Sequence, residues 1–326
     1  MEKGADPVLV FWKAYGIFNE GNVNEAIREL TRVQDRREIQ FAAAQALIFY
    51  HERCRNIDQE AIDTFVLTMD EREEMANDRD LITAAAFLWH ISQFKRAGQV
   101  VNKCLESNSA NLGAQAIRGW IYLSTMKEEL QAKALNFFEQ VLDENQGGNP
   151  KNLEALLGRA KILEKTKRYE ECLAMLSEIS VHYPNFLPVH IEKGKIHIQN
   201  GEWDAAMESV AQVLTKDRQN VEALRIYSFY LLARDYDHDM LMEKFNELQQ
   251  ALKTSEGRNS DLIFNISRLF SRFCGRKPEV LTRTLQFLDM AIVLQPENAS
   301  YQTEAGYQRS LKGEYEQAYQ AYQRAA

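Results

Sequence analysis

The side chains best suited to chemistry are six histidines and four cysteines in 326 residues, and their spacing decides what they could do. Trp89-His90 has no nucleophile or acid partner beside it in sequence, so it reads as packing or interface rather than catalysis. His190 and His197 lie seven apart on one helical face, with His182 upstream. Zinc-binding helices space their histidines more closely, as in H-E-x-x-H, so these read as structural or surface residues. Asp237-His238-Asp239 puts oxygen and nitrogen ligands in one turn. The stronger reading is a helix start, with Asp as cap and acidic residues at the positive end of the dipole. Cys54, Cys104, Cys172 and Cys274 form no C-x-x-C and no regular pairing distance, so neither a zinc site nor a disulfide framework is expected. Cys172 and Cys104 instead occupy small-residue positions, where a free thiol packs as a small hydrophobe. A reducing compartment follows.

The phosphate-cradling and nucleophile-elbow patterns G-x-x-x-x-G-K, G-x-G-x-x-G and G-x-S-x-G do not occur, and the carboxylates are scattered over polar faces. No catalytic residue, cofactor or metal is expected, and the chain reads as non-enzymatic. Basic residues number 39 against 47 acidic, a net charge of −8. Binding nucleic acid needs a basic stripe that displaces counterions, and the nearest candidate, Arg268, Arg272, Arg276 and Lys277, reads as a solvated helix end. The longest apolar stretches, Phe41–Tyr50 and Ile82–Ile91, fall short of the ~20 residues that span a bilayer. The opening Met1-Glu-Lys-Gly-Ala-Asp-Pro7 is polar and unlike a signal peptide. Neither nucleic acid nor direct membrane insertion is expected, and the location should be cytoplasmic.

The elements that position these residues are helices in pairs. A turn followed by a small residue recurs at Ala26, Ala61, Ala97, Ala134, Cys172, Ala206 and Ala318, with Leu241 and Thr284 as degenerate members, at intervals of 34 to 43 residues. A large apolar residue follows four positions later each time: Leu30, Phe65, Val101, Phe138, Leu176, Val210, Phe245, Leu288 and Tyr322. Small first-helix residues, notably Gly194 and Gly306, would let paired helices approach to about 8–10 Å. This pattern resembles the tetratricopeptide repeat. The expected fold is all-α, a right-handed superhelical solenoid of stacked helix pairs. One solenoid over 1–326 would hold about nine pairs, at approximately 7–37, 38–77, 78–111, 112–148, 151–184, 186–218, 219–256, 259–297 and 299–326. Met69–Asp80, rich in both charge signs, reads as the exposed end of an unusually long second helix.

Some modules of this kind hold a peptide's C-terminal carboxylate with Lys, Asn and Arg on successive first helices. The matching positions here read as Phe11, Tyr15 and Phe18, then Ile82 and Trp89, then Leu157 and Lys161, then Ile191 and Lys195. The two lysines lack neighbouring asparagines, which disfavours that clamp. The expected partner surface is aromatic, made of Phe11, Tyr15, Phe18, Ile82 and Trp89, with Tyr15 and Trp89 as the first anchors. Self-packing within the superhelix is the competing reading.

Further residues narrow the resemblance. Phe11-Trp-Lys-Ala-Tyr-Gly16, Glu20-Gly21, Glu25-Ala-Ile-Arg-Glu-Leu30, Phe87-Leu-Trp-His-Ile91, Tyr183-Pro-Asn-Phe-Leu-Pro188, Gln219-Asn-Val-Glu-Ala-Leu-Arg225, Phe264-Asn-Ile and Cys274-Gly-Arg276 run in an order that resembles the tetratricopeptide repeat protein 21 family. That family is the repeat-solenoid subunit of intraflagellar transport complex A, and its members are much longer, so the chain reads as an N-terminal fragment. The resemblance implies a non-catalytic scaffold supporting retrograde ciliary transport and entry of ciliary cargo. It implies the cilium or flagellum and its base as location. Its partners would be other complex A subunits, with complex B or membrane-cargo adaptors as further candidates. The alternative is a general peptide-binding adaptor, or a co-chaperone-like module, unrelated to cilia.

Overall fold

The computed structural model describes residues 5–54, 56–125, 128–235 and 237–326. Among them every regular element is a helix, as the pattern of short turns and small residues predicts. The chain divides into two compact units, Met1–Pro184 and Asn185–Ala326.

The first unit runs α1 (Pro7–Asn19), α2 (Val23–Thr31), α3 (Gln40–His51), α4 (Gln59–Leu67), α5 (Met69–Glu74), α6 (Asp78–His90), α7 (Phe94–Ser107), α8 (Leu112–Ser124), α9 (Glu128–Leu142), α10 (Leu153–Lys165) and α11 (Tyr169–His182). Local chemistry sets the starts. The Asp6 carboxylate accepts from the Val8 N–H at 3.0 Å, and Pro7 takes the first helical position. Asn111 and Asn152 cap α8 and α10 through the N–H groups of Ala114 and Ala155. Ala26, Ala97, Ala134 and Cys172 are buried. Ala61 is half-buried, and its neighbour Ile62 takes the inward position on α4.

The stretch expected to continue as one long exposed helix bends instead. Thr68 sits at φ −97°, ψ 1° between α4 and α5, and its hydroxyl bonds back to the Thr64 and Phe65 carbonyls. Arg72 then donates to the Gln34 and Gln40 carbonyls and to Asp35, which ties α5 down against the preceding loop. Met69 and Asp80 are buried. Asp80 has a specific task. The cap position of α3 is Ile39, which has no side-chain acceptor to offer. The Asp80 carboxylate, from the first turn of α6, accepts the Phe41 and Ala42 N–H groups, each at 2.9 Å. A helix start that would leave orphan donors is thus capped from another helix, and the Ala-rich α3 is buried from Phe41 to Leu47.

Phe138, on α9, is held between two glycines. A Cβ on Gly119 of α8 would lie 2.7 Å from its ring, and one on Gly158 of α10 would lie 2.3 Å away. The ring has no side to which it can retreat. Gly158→Ala should therefore cost about 1–3 kcal/mol by overpacking, despite the higher helix propensity of alanine. Gly194 serves as the control: its added Cβ would meet Val210 at 3.5 Å, an ordinary contact. Gly194→Ala should be neutral or stabilising by up to about 1 kcal/mol. Thermal denaturation of the two variants checks this, and equal melting temperatures would show that the ring is not clamped.

The second unit runs α12 (Pro188–Gln199), α13 (Trp203–Lys216), α14 (Val221–Tyr230), a π-helical turn at Leu231–Asp235, α15 (His238–Ser255), α16 (Ser260–Phe273), α17 (Pro278–Leu294), α18 (Ala299–Lys312) and α19 (Tyr315–Ala325). Asp237 caps α15, accepting from the Met240 N–H at 3.0 Å, so its oxygen is spent on backbone. Gly194, Ala206, Gly306 and Ala318 are buried, as are Leu241 and Thr284. Gly306 lies under Tyr322, whose ring would be 2.7 Å from a Cβ there. Gly313, at φ 87°, closes α18 with its N–H on the Ser310 carbonyl. A polar knot ties α16 to α18. Arg272 grips Glu304 with two bonds, at 2.9 and 2.6 Å. Ser271 and Gln308 donate to the same carboxylate, and Gln308 also reaches Ser267.

Candidate partner-binding groove

Three first helices of the Met1–Pro184 unit, α1, α6 and α8, line one apolar groove of about 520 Å³, with the start of α10 at its end. Helical period places the residues. Ile82, Ala86 and Trp89 share a face of α6 at i, i+4 and i+7, and Gly113, Ala116, Ile117 and Trp120 share a face of α8. Val8 and Trp12 come from α1. Arg79, His90, Asn152 and Glu154 supply the polar rim.

The aromatic residues touch one another. Trp89 and Trp120 lie 5.4 Å apart at 47°, and the Trp89 indole N–H donates to Ser124 Oγ at 2.8 Å. Trp120 also meets Phe138 edge-on at 5.6 Å, and its buried indole N–H has the Glu154 carboxyl as its polar neighbour. His90 sits among Trp12, Tyr15 and Trp89 at 5.5, 5.6 and 4.7 Å. Desolvation of its ring lowers its pKa, which favours the neutral form. Arg79 is engaged by Asp6. Glu154 is exposed at the end of the groove; partial desolvation of its carboxyl raises its pKa, opposed by the nearby Trp120 N–H.

Of the expected partner surface, Ile82 and Trp89 line this groove. Phe11 is wholly buried, edge-on to Phe87 at 5.7 Å. Tyr15 is half-buried against Phe87, and Phe18 is half-buried and stacked on Tyr50 at 4.5 Å. None of these three lines the groove. Their i, i+4, i+7 stripe is the inward face of α1, while Trp12, one position on, is half-buried and lines the groove. Trp12, Trp120 and Glu154 escaped the sequence reading. The signal that could have found them is the second aromatic within Phe11-Trp12 and Gly119-Trp120.

The other candidates are occupied locally. Lys161 pairs with Glu164, and Lys195 with Glu192 at 2.8 Å. His197 Nδ1 contacts Glu202 at 2.7 Å, and His238 lies 3.8 Å from Glu279. His190 is held below the usual histidine range by burial and by Lys193 and Lys216. Of the basic cluster near residue 270, Arg272 is committed to Glu304. Among the described residues no group of three His, Cys, Asp or Glu gathers as a metal site, and no helix is long and apolar enough to cross a membrane.

The sequence matches the family model described as Tetratricopeptide repeat protein 21 N-terminal ARM repeat over residues 1–207. Residues 243–326 match the model described as Tetratricopeptide repeat protein 21 second ARM domain. The chain is 33% identical to human Tetratricopeptide repeat protein 21B over 322 residues, 99% of this chain and 24% of that protein. It is 27% identical to human Tetratricopeptide repeat protein 21A over 328 residues, 98% of this chain and 24% of the relative. The chain thus spans about a quarter of the length of these relatives. Two solved structures share the fold. A tetratricopeptide repeat protein from Parabacteroides merdae gives a TM-score of 0.52 at 17% identity, covering 82% of this chain and 99% of that one. The APC/C hetero-tetramer Cut9–Hcn1 gives 0.53 at 12% identity, covering 93% of this chain and 56% of that one.

Proposed function

This chain belongs to the tetratricopeptide repeat protein 21 family, and from that membership we infer that it serves as a non-catalytic scaffold of intraflagellar transport complex A. In this reading it supports retrograde ciliary transport and cargo entry at the cilium or flagellum and its base. It binds other complex A subunits through helix surfaces, with complex B or membrane-cargo adaptors as further partners. The observation that carries the reading is likeness to one family over 1–207 and again over 243–326. The groove of Trp12, Ile82, Trp89 and Trp120 is the surface we assign to a partner. Aromatic side chains in well-packed depressions dominate interface energetics, and truncating one can cost 2 kcal/mol or more.

The test is affinity purification of the tagged chain from ciliated cells, with complex A subunits quantified. Wild-type chain should recover them. Ile82→Ala combined with Trp89→Ala should reduce recovery by tenfold or more, about 1.4 kcal/mol, with an unchanged helical circular dichroism spectrum. If the wild-type chain recovers no complex A subunit, the ciliary assignment fails.

A further inference from the structure

We propose that the groove is a cation-accepting site that binds an extended partner segment carrying Arg or Lys among apolar residues, with the cation seated between the Trp89–Trp120 pair and the Glu154 carboxylate. This rests on the groove being the partner surface and adds the chemistry of the occupant. Charge complementarity is the first support. The apolar lining ends at a carboxylate on the first turn of α10. Glu154 itself is exposed there, so its carboxylate is open to a partner. The other groups on the rim do not compete for it. Arg79 is taken by Asp6 at the α1 side, and burial shifts His90 toward its neutral form.

The second support is a contrast within the chain. Phe49, Phe65, Tyr122, Phe137, Tyr227 and Tyr307 each have an Arg or Lys of the chain itself within 3.5 to 5.9 Å of the ring centroid. Among the described residues no such cation covers Trp12, Trp89 or Trp120, although tryptophan is the best ring for this interaction. An apolar ligand fills the groove but leaves the carboxylate unmatched. An acidic one meets it with like charge.

The probes are four capped heptapeptides, Gly-Ala-Leu-X-Leu-Ala-Gly, with X as Arg, Lys, norleucine or Glu. Binding to the whole chain is read by tryptophan fluorescence and calorimetry. The Arg and Lys peptides should bind about tenfold more tightly than norleucine, and the Glu peptide should bind weakest. Glu154→Gln should shrink the cationic advantage to about threefold or less and leave norleucine binding unchanged. Equal affinity for Arg and norleucine, or a preference that survives Glu154→Gln, overturns the cation site and leaves an apolar partner groove. No binding by any peptide at millimolar concentration removes the groove as a peptide surface altogether. Recovery of complex A subunits by the same chain is a separate readout, so the ciliary reading stands or falls independently.

Discussion

Arg272→Ala should destabilise the Asn185–Ala326 unit by about 3 kcal/mol, the lower end of the range for stranding a buried charge. Glu304 is 5% exposed, and its carboxylate receives two bonds from the guanidinium at 2.9 and 2.6 Å. Removing Arg272 leaves that carboxylate with only Ser271 and Gln308 as donors, and these neutral groups cannot offset the cost of burying the charge. The lower end applies because the Arg272 side chain is 39% exposed, so water reaches the vacated site. Arg272 also lies 4.0 Å from the Tyr307 ring centroid, and that contact goes with it. Replacing the pair by Arg272→Met with Glu304→Leu should recover most of the loss, because the desolvation cost disappears along with the attraction. Urea denaturation of the three proteins decides the matter. A single-variant loss below about 1 kcal/mol would mean that water reaches Glu304 and replaces the guanidinium in the folded chain.

Asp80→Ala is the second large effect, roughly 2–4 kcal/mol. Two buried donors, the N–H groups of Phe41 and Ala42, lose their acceptor at once, and an unmet buried polar group costs about 1–3 kcal/mol. The same carboxylate ties stability to pH. Burial pushes Asp80 up to about 6 from an ordinary 3.8, although the two N–H donors and Arg72 pull the other way. A carboxyl raised on folding favours the folded state most when it is protonated. Its contribution is therefore complete below about pH 4, falls as pH rises through 6 and is level above that, spanning on the order of 2–3 kcal/mol at 1.36 kcal/mol per unit. Asp80→Asn removes the titration. The advantage of wild type over this variant should shrink between pH 4.5 and 7. An advantage that grows over that interval would reverse the sign and show that the helix start holds the charged form.

The helical class and the family were legible because both rest on short-range pattern. A turn, a small residue and a large apolar residue four positions on recur wherever two helices must cross, and even the degenerate positions Leu241 and Thr284 are buried. What stayed hidden depends on long-range pairing. Asp80 and Phe41 are 39 residues apart, so an acidic residue in a charged stretch gave no sign that it caps a distant helix. Arg272 and Glu304 are 32 apart, so Arg272 looked like part of a solvated basic end. The groove was half legible for a different reason. Period alone finds an apolar stripe without saying which way it faces, and on α1 the stripe of Phe11, Tyr15 and Phe18 turns inward while Trp12 lines the groove.

The glycine clamp around Phe138 bears on how the molecule opens. In a stack of repeats, stability is a sum of terms within each repeat and terms between neighbours. Phe138 contributes to both, because Gly119 belongs to its own helix pair and Gly158 to the next. Neither pair can loosen without freeing the ring that the other grips. Amide exchange in α8, α9 and α10 should then report a single opening free energy, the mark of one cooperative block rather than two independent ones.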